Sequence, residues 1–320
     1  MAKLVECVPN FSEGRRPEVV DAIAAAVAAV PGVHLLDRTS DADHNRSVLT
    51  FAGEPDAVAA AMEDAVAVAL QLIDMEKHEG QHPRIGAVDV VPFVPLGDST
   101  MEECVELARR FGARIAARFE LPVYLYAQAA TRAERAVLAD IRRPQFEGLK
   151  EQIGHAGREP DYGPSRMHPT GGAMAVGARP FLIAYNINLE SNDHELAKRI
   201  AHRIRERSGG LPRVQALGLY LDDLSCAQVS MNLLDFTVTP IWLAWETVRA
   251  LAADEGVELR ESELIGLAPL ASLTAVADHI DAPDDVPVEQ RIEAAAGWLK
   301  IRGFEPTMAL ELRLASATAA

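Results

Sequence analysis

Cysteine is scarce in this chain, and no apolar stretch is long enough to cross a membrane. Only three cysteines occur in 320 residues, at Cys7, Cys104 and Cys226. An odd number of scattered cysteines without metal-ligand spacing argues against a disulfide framework and fits reduced thiols. The longest Ala- and Val-rich stretch, residues 22–33, is far shorter than the roughly 20 apolar residues of a membrane span. The N-terminal residues lack the layout of a signal peptide, so we expect a cytoplasmic protein.

Basic residues are too few to form a nucleic-acid surface. Lys and Arg number 31 against 47 Asp and Glu, which gives a formal net charge of -16 and a pI of about 5.0. A nucleic-acid partner would need a basic stripe to neutralise its phosphates. The chain also lacks a nucleotide-binding glycine loop, because Gly171-Gly172 has neither the P-loop lysine nor the Rossmann spacing. Locally clustered arginines or lysines would have to receive any acidic substrate.

Chain length and composition predict two compact domains. The chain is 49% hydrophobic and 24% charged, which supports a buried core in each half. In the first half we predict strands at residues 3–8, 33–37, 46–51 and 86–93 and helices at 17–30 and 55–76, followed by a helix at 100–119 and a strand at 122–126. In the second half we predict strands at 181–189, 214–221, 226–236 and 257–264, with helices at 193–206 and 240–254.

The order βαββαβ therefore occurs twice. It predicts an α/β (α+β) protein of two ferredoxin-like βαββαβ subdomains, a duplicated architecture with one subdomain in residues 1–176 and the other in 177–320. Coincidence is the alternative, because alternating helices and strands are common. Residues 160–177 are rich in Gly and Pro, which predicts a linker or a ligand-facing loop between the two halves.

The densest polar cluster of the chain is His-Glu-Gly-Gln-His-Pro-Arg-Ile-Gly at residues 78–86. Its beginning matches the zinc-protease pattern H-E-x-x-H, in which both histidines project from one face of a helix. Gly80 within the motif and Pro83 after it disfavour that helix. We favour a rigid loop at the edge of the sheet, in which His82 titrates near neutral pH and transfers protons. An ordinary surface or core histidine is the alternative.

Two further polar stretches, at residues 10–16 and 41–46, lie where predicted strands meet loops. Such positions on a rigid sheet frequently carry binding residues. Helix capping by Ser12 or Glu13 and a turn built on Asp and Asn are the alternative explanations. Asp41, Asp43 and His44 also have the donor atoms of metal ligands, but carboxylates in a turn are usually only solvated.

Several of these segments together resemble the glutamate formiminotransferase family. They are residues 5–14, residues 80–93 around His82-Pro83-Arg84, residues 177–189 and residues 227–236. The resemblance extends from residue 2 to about residue 310, and several motifs in one order are more specific than any single motif. It implies a stand-alone form of the transferase unit that animal members fuse to a cyclodeaminase. In that family the unit is two ferredoxin-like subdomains with a folate tunnel between them.

The resemblance implies transfer of the formimino group of N-formimino-L-glutamate to N5 of tetrahydrofolate, in histidine degradation. Tetrahydrofolate would be a co-substrate, no metal would be required, and a separate cyclodeaminase would act on the product. The alternatives are formyl transfer from N-formylglutamate to tetrahydrofolate and a non-catalytic folate-binding module. An exposed sheet edge or face in either half favours a homodimer. We expect neither a nucleic-acid nor a membrane partner.

The resemblance also implies roles for individual residues. His82 falls on the family's catalytic histidine. The family's folate-binding segment falls on Gly163, Pro164, Ser165, Arg166, Met167, His168, Pro169, Thr170, Gly171 and Gly172. We expect the donor to be bound by Asn10, Asp43, His44, Asn45, Arg46, Arg84 and Arg179.

The arginines are included because bidentate guanidinium contacts suit the carboxylates that both substrates carry. Surface ion pairs are the alternative for Arg46. The chain departs from the animal pattern at Thr39, where those members carry an acidic residue, and at Gly171 or its neighbour, where they carry an aromatic. Asp41, Asp43 and His44 are the candidates to compensate for the missing acid.

Overall fold

The computed structural model describes residues 2–319 and divides into two compact units between Arg179 and Pro180. The predicted boundary after residue 176 falls three residues earlier, inside a strand that pairs with the first unit. Both units are mixed α/β structures, and each contains one sheet. Within residues 2–319 we find no helix with the length and apolarity that crossing a membrane requires.

The first unit contains seven strands and five α-helices among its described residues. The strands are β1 (Lys3–Cys7), β2 (Asn10–Phe11), β3 (Val33–Asp41), β4 (Arg46–Gly53), β5 (Val88–Gly97), β6 (Val123–Ala127) and β7 (Met174–Ala178). The helices are α1 (Pro17–Ala28), α2 (Pro55–Leu72), α3 (Met101–Phe119), α4 (Leu138–Arg142) and α5 (Gln145–Gln152). A short 3₁₀ turn covers Ala133–Arg135.

The first sheet is antiparallel at one side and parallel at the other. β1 and β2 lie between β4 and β5 and run antiparallel to both. β3 pairs with β4, while β7 pairs parallel with β5 and β6. The order is therefore β3-β4-β1/β2-β5-β7-β6, with β1 and β2 sharing one position. Predicted strand 3–8 ends at Cys7, and Val8 and Pro9 separate it from β2. Pro9 has no N–H to donate to a strand neighbour.

Local signals account for where the main helices of the first unit begin. Pro17 and Pro55 each open a helix, where the missing N–H is not needed. α3 begins with a capping box in which the side chains of Thr100 and Glu103 each bond to the other residue's backbone N–H. These helices bury one face against the sheet, with Phe93 and Phe111 in edge-to-face contact at 5.4 Å between ring centroids.

The second unit has one antiparallel four-stranded sheet and five α-helices among its described residues. The strands are β8 (Ile183–Leu189), β9 (Val214–Leu221), β10 (Cys226–Leu233) and β11 (Leu259–Ile265), in the order β11-β8-β10-β9. The helices are α6 (His194–Ile204), α7 (Ile241–Ala253), α8 (Leu270–His279), α9 (Val288–Trp298) and α10 (Leu310–Ala319). Short 3₁₀ turns cover Glu206–Ser208 and Pro306–Met308. Its core centres on Tyr185, Ile187 and Trp245.

Two predicted features of the first unit are wrong in detail. Helix 55–76 ends already at Leu72, and Met75 is then buried while its N–H donates to the Thr170 carbonyl at 2.8 Å. Segment 160–177 is not entirely a loop, because β7 occupies its end. Both places make long-range contacts, Met75 with Thr170 and β7 with β5 and β6, which local periodicity does not register.

Candidate active site

Most of the polar residues singled out in the first half meet at one end of the first sheet. They surround a small depression. Its lining consists of Phe11, Ser12, His44, Asn45, Arg46, His78, His82, Arg84 and Asp89. The chain therefore gathers residues from β2, the β3–β4 turn, β5 and the loop before β5 around His82.

The loop that carries His82 is held by backbone hydrogen bonds on both sides. The N–H of Gln81 donates to the carbonyl of Asp43 at 3.3 Å, and the N–H of Ala87 donates to the carbonyl of Gly171 at 2.9 Å. The residues from 78 to 82 are not helical, as Gly80 and Pro83 predict. Both ring nitrogens of His78 are engaged, Nε2 with the Asn45 carbonyl at 2.9 Å and Nδ1 with Arg84.

Close backbone approach requires glycine at position 80. A Cβ added there would lie 2.3 Å from the carbonyl oxygen of His44. Next to it, Asn45 adopts the left-handed conformation with φ of 48°, which asparagine tolerates better than most residues. Its side chain accepts from the Gly14 N–H at 3.0 Å and donates to the Glu79 carbonyl at 2.9 Å. Asn45 thus joins three segments around the depression.

Arg46 and His82 form the centre of the site. Arg46 Nη1 donates to Asn10 Oδ1 at 2.9 Å and lies 3.4 Å from His82 Nε2. Because a guanidinium has no acceptor, this approach favours the tautomer with Nε2 unprotonated. The Nε of Arg46 is buried and makes no hydrogen bond within residues 2–319. The basic Nε2 of His82 therefore faces the guanidinium of Arg46, which has an unused hydrogen-bond donor.

The environment keeps His82 neutral. Burial lowers the pKa of His82 to about 3, and the positive charges of Arg46 and Arg142 contribute next, followed by His44 and Arg84. Desolvation and nearby like charge both disfavour the imidazolium. The prediction that His82 titrates near neutral pH is therefore wrong for the substrate-free protein. In this state the side chain is a neutral base.

Arg84 is occupied by protein partners. Its guanidinium makes a bidentate pair with Glu147, at 2.9 and 2.6 Å, and its Nε donates to His78 Nδ1 at 3.2 Å. The side chain of Arg84 is 7% exposed. The hydrogen bond from Arg84 lowers the pKa of Glu147. In this arrangement Arg84 fastens α5 to the loop before β5, and its role in donor binding stays a prediction.

The acidic residues of the β3–β4 turn lie at the rim. Asp41 accepts from His44 Nδ1 at 2.8 Å, and the His44 ring stands edge-on to His82 at 6.3 Å between centroids. Hydrogen bonds from the backbone and side chain of His44 lower the pKa of Asp41. Asp43 is exposed and contributes its carbonyl to Gln81. Compensation by Asp41, Asp43 or His44 for the missing acid at Thr39 stays a prediction.

Two charged residues near His82 were not predicted from the sequence. Asp89 is 2% exposed; its carboxylate accepts from the Ile85 N–H at 2.8 Å and pairs with Arg142 Nη2. Arg142 is the last residue of α4, in a stretch without clear periodicity. A signal for Asp89 did exist, since a carboxylate within the apolar run of residues 85–94 is costly to bury unless it has a partner.

The predicted folate-binding segment divides into two parts. His168 and Gly172 exchange backbone hydrogen bonds, and Gly172 bridges to Gly86 beside the His82 loop. The earlier part lies at the end of α3, where Arg166 pairs with Glu120 at 2.7 Å. Only the second part thus bonds directly to the loop of His82.

Gly171 fits tightly, and Arg179 lies outside the depression. A Cβ added at Gly171 would lie 2.2 Å from Leu70 Cδ2, so a larger side chain at this position would require the Leu70 side chain to move. Arg179 follows β7, and its N–H donates to the carbonyl of Phe93 at 3.2 Å. Its side chain interacts with Tyr126. Burial raises the pKa of Tyr126, and the positive charge of Arg179 acts in the opposite direction.

Comparison with known proteins gives a consistent assignment. Residues 4–179 match the family model described as the formiminotransferase domain, N-terminal subdomain, and residues 184–306 match the formiminotransferase domain. A glutamate formimidoyltransferase of Streptococcus pyogenes serotype M1 is 44% identical over 292 residues, which cover 91% of this chain and 98% of that protein.

Two further relatives extend the match. A glutamate formimidoyltransferase of Thermoplasma acidophilum is 44% identical over 316 residues, which cover 98% of each protein. The formimidoyltransferase-cyclodeaminase of Sus scrofa is 48% identical over 279 residues, which cover 85% of this chain and 51% of that protein. The matched family models together span nearly the whole chain. The chain therefore belongs to the formiminotransferase family.

Proposed function

We propose that the protein transfers the formimino group of N-formimino-L-glutamate to N5 of tetrahydrofolate, releasing L-glutamate and 5-formiminotetrahydrofolate. The observation that carries this proposal is a neutral imidazole, His82, held 3.4 Å from the guanidinium of Arg46 in an otherwise acidic protein. A base beside a cation suits a reaction between an amine and an anionic donor. The match to this chain covers 98% of the length of two relatives named glutamate formimidoyltransferase.

His82 has two proton transfers to perform in this reaction. As the bond from N5 to the formimino carbon forms, the π electrons of the C=N bond move to the terminal nitrogen, and N5 becomes cationic. His82 accepts the proton from N5 and then donates it to the glutamate nitrogen. The bond from that nitrogen to the carbon then breaks, its electron pair leaves with glutamate, and the C=N bond re-forms. Such acid–base assistance contributes on the order of 10² to 10⁴ in rate.

Tetrahydrofolate is proposed as the co-substrate, with residues 163–172 as its binding segment. The part from His168 to Gly172 supports this placement, because its backbone bonds to the loop of His82. A ligand on that segment would therefore lie near the base. No step of the mechanism calls on a metal. The donor site would comprise Asn10, Arg46 and the rim residues Asp43, His44 and Asn45.

The architecture fits a duplicated ferredoxin-like protein. In the first unit, β5, β1/β2, β4 and β3 stand in the order 4-1-3-2 of a βαββαβ unit; in the second, β11, β8, β10 and β9 stand in the same order. We therefore keep two such subdomains as the proposed description. A cytoplasmic homodimer that acts in histidine degradation, next to a separate cyclodeaminase, completes the proposal.

A coupled assay distinguishes the candidate functions. The protein would be given tetrahydrofolate, a separate cyclodeaminase and either N-formiminoglutamate or N-formylglutamate, with and without EDTA. Turnover of the formimino donor that resists the chelator and is lost in His82→Ala supports the proposal. His202→Ala, at an exposed position of α6, is the matched control and should retain full turnover.

Other results would redirect the assignment. Turnover of the formyl donor alone would keep the site and change the donor. Folate binding without turnover of either donor would point to a binding module. Turnover by His82→Ala at the wild-type rate would refute the role of His82.

A further inference from the structure

Arg46 and Arg84 line the depression around His82, and the charge of Arg142 also acts on the imidazole. In the part of the chain that the structure describes, only one of these three guanidinium groups lacks a carboxylate partner. Arg84 pairs with Glu147, and Arg142 pairs with Asp89. Among the described residues, Arg46 forms no ion pair; its hydrogen-bond contacts are the Asn10 amide oxygen and the imidazole of His82. The site therefore has one guanidinium without an ion-pair contact next to its base, and the carboxylates of Asp41 and Asp89 act on it only from a distance.

Burial disfavours the charge of Arg46. It lowers the pKa of Arg46, and the positive charge of Arg142 acts in the same direction, whereas the negative charges of Asp41 and Asp89 act against both. The Nε atoms of both Arg46 and Arg142 are buried and make no hydrogen bond within residues 2–319. A partly buried cation with a buried, unused donor is stabilised most directly by a bound anion.

The remaining charged groups around His82 do not supply such an anion. Asp41, the acid of the nearby turn, is bonded to His44. Asp89 uses one oxygen for the Ile85 N–H and the other for Arg142. The titratable and charged groups that line the depression or act on His82 are His44, His78, Arg46, Arg84, Asp89 and Arg142, with Asp41 paired to His44.

We propose that Arg46 and Arg142 form a carboxylate-binding pair beside His82, and that binding of the donor's α-carboxylate activates the imidazole as a base. The inference rests on the proposed function, since it names the group of the donor that the pair recognises. Only one carbon separates the α-carboxylate of formiminoglutamate from the nitrogen that must be protonated, whereas three carbons separate the γ-carboxylate from it. The carboxylate bound beside His82 is therefore the α group.

The donor then supplies a counter-charge that the protein lacks. In the substrate-free site, the cations disfavour a proton on His82. A carboxylate placed between Arg46 and Arg142 would offset them and favour the imidazolium. His82 would thus accept the proton of N5 only when the donor is bound. Before that, the base stays weak and neutral.

Binding of a simple dicarboxylate tests the pair without any turnover. The ¹⁵N chemical shifts of the His82 ring would be followed against pH with and without saturating glutarate, which carries no titrating amine. We expect glutarate to raise the pKa of His82 and, while its own carboxylates stay ionised, to bind more tightly as the pH falls below the raised value. A pKa of His82 that does not move with bound glutarate would overturn the proposal.

Two variants separate the charge of the pair from its geometry. Arg46→Gln should weaken glutarate binding and remove its effect on His82, whereas Arg46→Lys should retain part of both. Asp89→Asn combined with Arg142→Gln removes the second cation without burying an unpaired carboxylate, and it should also weaken binding. Arg110→Gln, which removes an exposed arginine on α3, is the control and should change nothing. Equal glutarate binding by wild-type protein and all these variants would refute the proposal that Arg46 and Arg142 bind a carboxylate together.

Donor analogues then test which carboxylate is bound. In the donor with an α-carboxamide, the N-formimino derivative of isoglutamine, we expect kcat to fall on the order of tenfold or more. In the γ-carboxamide, derived from glutamine, we expect a raised KM with kcat largely retained. An α-carboxamide donor with unchanged kcat would overturn the proposal. Failure of the proposed function is a different result, because wild-type protein would then turn over none of the donors.

Discussion

His82 should stay neutral in the substrate-free protein at pH values where an ordinary histidine is protonated. Desolvation, and then the charges of Arg46, Arg142, His44 and Arg84, lower the pKa of His82 to about 3. At pH 5 a histidine with the usual pKa of about 6.5 is about 97% protonated, whereas one with a pKa of about 3 is about 99% neutral. The two states of His82 are therefore easy to distinguish at this pH.

The same shift makes the protein less stable in acid. The unfolded chain protonates this histidine below pH 6.5, but the folded protein does not, so unfolding takes up a proton and stability falls with the pH. Between pH 6.5 and 5 the full effect would be about 2 kcal/mol. Because the His82 ring is only partly buried and solvent screens the charges, we expect about 1 kcal/mol. The variant His82→Gln should lack this contribution.

Nuclear magnetic resonance and urea unfolding measure the two consequences separately. The ring nitrogens of His82, assigned by comparison with His82→Gln, should show a neutral imidazole protonated at Nδ1 from pH 7 to 5. Urea unfolding at the same two pH values should show a greater loss of stability in wild-type protein than in His82→Gln. His202→Gln, the same change on an exposed helix face, should behave like wild type. Protonation of His82 with a midpoint above about pH 6 would refute the argument from burial and charge.

Three other predictions concern the first unit. Asp161→Asn removes the partner of Arg135 from an ion pair in which the two side chains are 6% and 5% exposed; we expect a loss of about 3 to 5 kcal/mol in urea unfolding, and a loss under about 1 kcal/mol would contradict it. Gly80→Ala places a methyl group 2.3 Å from the His44 carbonyl oxygen and should lower turnover while circular dichroism stays unchanged; full turnover would contradict it. Thr100→Ala removes the capping box of α3 and should cost about 1 kcal/mol, and unaltered stability would contradict it.

Local chemistry was sufficient to predict most elements of the fold. Predicted strand 214–221 coincides with β9, and the helices that open at Pro17 and Pro55 begin where predicted. The same chemistry did not predict β7, because its strand character depends on parallel pairing with β5 and β6, one of which lies more than 80 residues away. Helices α8, α9 and α10 were also missed, since short amphipathic segments give weak periodicity.

The candidate site also has features that local sequence determines and features that only long-range contacts determine. The sequence by itself determined that residues 78–86 form a polar loop rather than a helix, because Gly80 and Pro83 act on the backbone at their own positions. Only the tertiary structure decided that Arg84 forms an ion pair with Glu147 and that Arg46 forms none within residues 2–319. The charge on a histidine depends on the burial and the charges around it. For His82 those charges include Arg46 and Arg142, 36 and 60 residues away along the chain, and only folding brings them together.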